Sequence, residues 1–143
     1  MPVRKAEATW KGDLKGGEGW LKSASGNVQG KYSAASRFED GTGTNPEELI
    51  AAAHAGCYSM ALSAELSGAG HVPTSVDTTA KVTIEKQGGG FAITGIALST
   101  KAIVPGISPG DFKSIAEAAK TGCPVSKALA SVPITLTAEL VSA

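Results

Sequence analysis

The sequence predicts an α+β protein on three observations. Short β-like segments broken by glycine turns are followed by one long, apolar helical pattern. An alternating run over 75–104 then folds back on itself, and an amphipathic helical pattern precedes a last β-rich segment. With 143 residues and 42% hydrophobic content, the chain has material for one packed core, so a single domain over 1–143 is expected.

The β-like segments of the N-terminal part fall at 6–10, 18–22 and 32–38, separated by turns such as Lys15-Gly16-Gly17, and predict an antiparallel sheet. A loop over 41–45 leads to Asn45-Pro46-Glu47-Glu48. Asparagine as N-cap, proline at the first helical position and acids in the first turn all suit the unpaired N–H groups and positive dipole end of a helix start. The helix runs through Leu49, Ile50, Cys57, Met60 and Leu66 until Gly68 and Gly70 end it. It is apolar nearly all round, a pattern that belongs in an interior.

From Val76, the residues Val76, Thr78, Ala80, Val82 and Ile84 alternate with Asp77, Thr79, Lys81, Thr83 and Glu85, the period of a strand with one buried face. Gly88-Gly89-Gly90 turns the chain, and 91–104 returns as the second strand of a long hairpin closed by Pro105-Gly106. Over 108–121, Phe112, Ile115, Ala116 and Ala119 mark one helical face, and Cys123 continues that stripe toward the core. Pro124 opens a short second helix through Leu129 with Cys123 at its N-cap, and a strand over 134–141 closes the chain.

Thirteen basic and thirteen acidic residues balance to zero net charge without a basic run, which argues against nucleic acid and anionic membrane as partners. The start MPVRKAEATW lacks a secretory apolar region, and no apolar stretch reaches membrane-spanning length, so a soluble cytoplasmic protein is expected. Two cysteines are too few for a disulfide-stapled scaffold. His54 and His71 complete no zinc spacing with them, so no metal is expected.

Cys57 lies in Ala53-His54-Ala55-Gly56-Cys57, where small side chains let a neighbour approach the backbone, although buried thiols on alanine-rich helices are commonly inert. A thiol at the N-terminus of a helix, as expected for Cys123, meets unpaired N–H groups that lower its pKa and make it a better leaving group. The two thiols form a disulfide only if folding brings their Cα atoms within about 7 Å. His54, three residues before Cys57, is either a base on the same helical face or a packing histidine. Arg37, read alone, is a solvated charge or half of a surface pair.

Arg37-Phe38-Glu39, Gly43-Thr44-Asn45-Pro46-Glu47-Glu48-Leu49-Ile50, Ala53-His54-Ala55-Gly56-Cys57 and Gly122-Cys123-Pro124-Val125-Ser126 together resemble the OsmC branch of the OsmC and organic hydroperoxide resistance peroxidase family. The resemblance extends over essentially the whole chain and includes the long hairpin between Pro73 and Pro105. It implies an OsmC-like fold, with antiparallel sheets packed around a long central helix in an intertwined homodimer. The implied activity is reduction of organic hydroperoxides to alcohols, with no bound cofactor and an external dithiol reductant, for which the family suggests a lipoylated protein.

The same resemblance maps the catalytic set onto Cys57, Cys123, Arg37 and Glu47. Cys57 attacks the peroxide and becomes a sulfenic acid, and Cys123 resolves it to a disulfide. Arg37 stabilises thiolate and peroxide oxygen, while Glu47, or Glu48 in its place, holds the guanidinium. Ten helical residues at about 1.5 Å each separate Glu47 from Cys57 along the axis, so the dimer is expected to bring Glu47 of one subunit to Cys57 of the other. Phe38, Ile50, Met60 and Phe112 are candidates to hold an alkyl or aryl tail. The competing reading is a small-ligand or acyl-binding module of hotdog-like architecture, in which the cysteines are incidental.

Overall fold

The computed structural model describes residues 1–141; Ser142 and Ala143, the end of the predicted domain, lie outside the described residues. The chain forms two compact units, Met1–Leu49 and the residues from Ile50 onward, divided within a helix.

In the first unit, β1 (Ala6–Lys11), β2 (Glu18–Ser23) and β3 (Gln29–Tyr32) form an antiparallel sheet in that order. The third strand lies earlier than expected, at Gln29–Tyr32, and meets the predicted 32–38 segment only at Tyr32. The strand stops at Tyr32, and α1 (Ala34–Phe38) is helical. The cause is a local capping box, in which the Ser36 N–H donates to Ser33 Oγ at 3.1 Å and the Ser33 N–H donates to Ser36 Oγ at 2.9 Å. The β-like reading of 32–38 takes no account of such a pair.

The loop after α1 returns to the sheet, where the Thr44 N–H donates to the Lys31 carbonyl at 2.9 Å. Gly43 has φ +114°, and a Cβ there would stand 2.7 Å from the Lys31 carbonyl oxygen, so both backbone conformation and space call for glycine. Helix α2 (Pro46–Gly68) starts as predicted, with the Glu48 N–H donating to Asn45 Oδ1 at 2.8 Å.

In the second unit, β4 (Ser75–Gln87) and β5 (Gly90–Ile103) make the expected antiparallel hairpin. Its two-residue turn has positive φ at both Gly88 and Gly89, the demand of a turn that matches strand twist. Helices α3 (Pro109–Gly122) and α4 (Pro124–Ala128) follow, and β6 (Ile134–Leu140) pairs with β5 in parallel. The second sheet is therefore mixed, not antiparallel as expected. The chain leaves the end of β5 and crosses back through two helices, so β6 must run in the direction of β5.

Helix α2 buries one face, with His54, Tyr58, Leu62 and Leu66 at intervals of four residues. These side chains join a core with Ile96, Leu98 and Ala102 of β5 and Phe112, Ala116 and Ala119 of α3. The interior position predicted for the whole helix holds for that face only. Ala53, Gly56, Met60 and Ala64 are exposed, because a single chain supplies a partner to one side. The helix ends in a Schellman motif at Gly70, where the His71 N–H donates to the Leu66 carbonyl and the Gly70 N–H to that of Ser67. Among the described residues no helix is long and apolar enough to cross a membrane.

Candidate active site

Cys57 lies on α2 and Cys123 at the junction of α3 and α4, 66 residues later. Cys123 closes α3, its N–H donating to the Ala119 carbonyl at 2.9 Å, and serves as N-cap of α4 ahead of Pro124. The apolar stripe of α3 presses Cys123 into the core, where it is fully buried, while Cys57 remains half-buried. Both are free thiols with their sulfurs 3.0 Å apart. Cα spacing left open by the sequence is thus resolved as direct sulfur contact.

The two thiols differ electrostatically. At Cys57, burial and the contact with Cys123 push the pKa up, opposed only in part by the Val125 N–H. Burial also pushes Cys123 up, but the Cys57 contact, the N–H and hydroxyl of Ser126 and the Val125 N–H outweigh it and lower the pKa. These surroundings favour the anion at Cys123 over the anion at Cys57.

Arg37 and Glu47 meet in the first unit. Arg37 Nη2 donates to Glu47 Oε1 at 2.7 Å, and Nε donates to Oε1 at 3.1 Å and Oε2 at 3.2 Å. The forked guanidinium matches the carboxylate, so its plane is held. The pair is positioned by hydrogen bonds between α1 and the start of α2. Ser36 Oγ donates to the Thr44 carbonyl at 2.7 Å, and Asn45 Nδ2 donates to the Ser36 carbonyl at 3.0 Å. Glu47 is buried and the arginine side chain 37% exposed. Glu48 is not the substitute that the sequence left open, since it points to Thr44, whose Oγ1 donates to Glu48 Oε2 at 2.7 Å.

Arg37 also borders a hollow of about 280 Å³ lined by Trp10, Leu14, Tyr32 and Phe38. Gly19 makes room for two of the rings that line it, since a Cβ there would meet Trp10 and Tyr32, whose ring centroids lie 5.4 Å apart. Of the four residues expected to hold a tail, Phe38 lines this hollow, Ile50 is half-buried and Met60 is exposed. Phe112 is committed to the core of the second unit and offers no surface. Trp10, Leu14 and Tyr32 were not selected from sequence, because their strand and turn context carries no sign that they face Arg37.

Of the predicted site residues, the structure joins Cys57 to Cys123 and Arg37 to Glu47, each pair within one compact unit. His54 takes the packing alternative: it is fully buried, with Nε2 2.7 Å from Ser126 Oγ. Among the described residues, no cluster of three or more His, Cys, Asp or Glu side chains could hold a metal ion.

A family model described as OsmC-like protein matches residues 39–137. The chain belongs to the OsmC-like family. It is 51% identical over 140 residues to peroxiredoxin OsmC of Escherichia coli strain K12, with 97% of each chain covered. It is 33% identical over 99 residues to an organic hydroperoxide resistance protein of Xanthomonas axonopodis pv. citri, with 68% of each covered. Among solved structures, an organic hydroperoxide resistance protein from Elizabethkingia anophelis superposes with a TM-score of 0.70 at 26% identity, covering 98% of this chain and 99% of the other. The α+β architecture described above is thus that of the OsmC-like family.

Proposed function

We propose that this OsmC-like protein is a cysteine peroxidase that reduces organic hydroperoxides to alcohols, with Cys57 as nucleophile and Cys123 as resolving thiol. The contact between two free thiols at 3.0 Å carries this reading, and the names of the relatives support a peroxidase-type function. Cys57 thiolate attacks the terminal peroxide oxygen, the O–O bond breaks, and the alkoxide leaves as alcohol after taking a proton. Cys57 is left as a sulfenic acid, which Cys123 converts to a disulfide. A dithiol, a lipoylated protein in the reading taken from the family, returns both sulfurs to thiols.

Arg37 supplies the charge that Cys57 lacks and donates to the peroxide oxygen, while Glu47 fixes the guanidinium. The hollow beside Arg37 accepts the apolar tail, which favours an organic hydroperoxide over hydrogen peroxide. Residues 1–143 act as one functional domain, a reading supported by the family match, which crosses the division between the compact units. The working form is a homodimer. The exposed apolar face of α2, with Met60 75% exposed, is the surface it would cover, and Arg37 and Glu47 of one subunit would serve Cys57 of the other.

A stoichiometric organic hydroperoxide added to the reduced protein tests the reading, with thiol titration and intact mass as readouts. Loss of both thiols with a mass decrease of two hydrogens, abolished by Cys57→Ser in folded protein, is the expected result. Two persistent thiols would return the chain to the acyl-binding alternative.

A further inference from the structure

We propose that the hydrogen bond between His54 and Ser126 is a positioning clamp for the resolving step, holding the turn that carries Cys123 against α2 so that the two sulfurs meet. This role rests on the reading of Cys123 as the resolving thiol. It is distinct from that of the Arg37–Glu47 pair, which serves the attack on peroxide.

Two contacts join α2 to the Cys123 turn, and they are spaced alike. On α2, His54 precedes Cys57 by three residues, so the two side chains share a face about 4.5 Å apart along the axis. Ser126 follows Cys123 by three residues, in the first turn of α4. His54 Nε2 lies 2.7 Å from Ser126 Oγ, and the sulfurs of Cys57 and Cys123 lie 3.0 Å apart. One turn of α2 therefore meets one turn of α4 at two points, a hydrogen bond and the reacting pair.

The Cys123 turn needs such a tie because α4 holds itself weakly. It has five residues, and its N-cap Cys123 makes no side-chain cap bond. So short a helix depends on tertiary contacts for its place. Val125 and Leu129 pack against the core, but apolar contact has no preferred direction, whereas a hydrogen bond fixes both distance and angle. Among the described residues, two side-chain hydrogen bonds run from α2 to this part of the chain. Tyr58 Oη donates to the Ala116 carbonyl at 3.0 Å and anchors α3; the bond between His54 and Ser126 anchors α4. His54 is fully buried, Ser126 is 5% exposed, and His54 Nδ1 is buried without a hydrogen-bond partner. The ring thus depends on Ser126 for its bonding. Loss of the hydroxyl would strand both ring nitrogens in the core, a desolvation penalty relieved only by movement of α2 against α4.

In the resolving step, the Cys123 thiolate attacks the sulfur of the Cys57 sulfenic acid. The S–S bond forms as the S–O bond breaks, and the departing hydroxide takes the proton that Cys123 had lost, leaving as water. Sulfur at Cys57 is reduced while sulfur at Cys123 is oxidised, so no external electrons are needed. From 3.0 Å the sulfurs close by about 1 Å to reach disulfide bond length. Side-chain rotation covers that distance without moving the helices, so the clamp stays closed in the disulfide. A misplacement of the same size, about 1 Å, is enough to slow a positioned reaction by up to about 10²-fold.

Rapid mixing of reduced protein with organic hydroperoxide separates the two steps, with sulfenic acid followed by trapping and disulfide by mass. Ser126→Ala and His54→Leu should each slow disulfide formation about tenfold and leave sulfenic acid formation unchanged. The double variant should be no slower than either single one, since the same bond is lost in all three. Ser126→Thr, which keeps the hydroxyl, should recover most of the rate. The thiol–disulfide equilibrium against a dithiothreitol buffer needs no peroxide, and in folded Ser126→Ala it should move about tenfold toward the dithiol, or ~30 mV. Normal resolution in Ser126→Ala, equal slowing of both steps, or additive effects in the double variant would overturn the proposal. In the unaltered protein, nitrogen chemical shifts should show the His54 bond to Ser126 in both dithiol and disulfide forms, and its loss on oxidation would also overturn the clamp. A protein that forms no sulfenic acid defeats the peroxidase reading, whereas an unshifted equilibrium in Ser126→Ala defeats the clamp.

Discussion

The two candidate pairs in this chain are built by opposite means. Cys57 and Cys123 are 66 residues apart in sequence and meet because the cores of α2 and α3 pack, with the sulfurs 3.0 Å apart. Arg37 and Glu47 are ten residues apart and meet because a short loop, tied by Ser36, Thr44 and Asn45, joins α1 to α2. No cation is among the groups that act on the thiol pair, whereas the charged pair holds a partly exposed arginine and no nucleophile. Each is locally complete in structure and incomplete in chemistry, which is the reason for assigning them to one reaction.

Breaking either pair should have unequal consequences. Cys123→Ser carries the largest effect in sustained turnover: one equivalent of hydroperoxide is still reduced, but dithiol-supported cycling stops and Cys57 advances to sulfinic acid, visible as added oxygen by mass. Arg37→Ala should lower kcat/KM by about 10²- to 10³-fold, the scale of losing a donor to developing negative charge, and Glu47→Gln by less, since the guanidinium stays but loses its clamp. Steady-state kinetics with an organic hydroperoxide would show the order.

The comparison sharpens further in mixed dimers. Combining the two inactive variants Cys57→Ser and Arg37→Ala, with subunit exchange, should restore about a quarter of normal activity if each site takes Arg37 from one subunit and Cys57 from the other. No recovery after verified exchange would place both pairs in the same subunit.

Ionisation gives a subtler contrast. With Cys123 lowered and Cys57 raised from the ordinary thiol value of 9.0, thiolate absorbance of the reduced protein should rise in two steps on either side of that pH. Cys123→Ser should remove the lower step. The smallest expected effect concerns His54, whose pKa is lowered from 6.5 by burial. The unfolded chain then binds more protons than the folded one below pH 6.5. The stability contribution of neutral His54 is fully present above that pH and is lost as pH falls through the folded pKa. Denaturant midpoints between pH 7 and 5 should decline less in His54→Gln than in the unaltered protein.

Much of this fold is local, and the sequence by itself determined it. Asn45-Pro46 starts α2 because capping and a fixed proline φ act within one turn. Gly88-Gly89 turns the hairpin because only such residues accept two positive φ values in succession. The stripe Phe112, Ala116, Ala119 continues to Cys123 because 3.6-residue periodicity survives to the end of α3. The motifs around Arg37, Glu47, Cys57 and Cys123 marked the family before any distance was known.

The tertiary structure decided the rest. Whether two thiols touch, which of two adjacent glutamates takes Arg37, and which way β6 runs all depend on how elements pack, information spread over the whole chain. The 32–38 segment fell between the two levels, since it reads as β-like in sequence while the Ser33–Ser36 cap commits it to helix. The bond from His54 to Ser126 spans 72 residues and has no signature in either local sequence. Periodicity and capping act over a few residues and are written in them; contacts across a core come from the sum of its packing, and they exist only once the chain has folded.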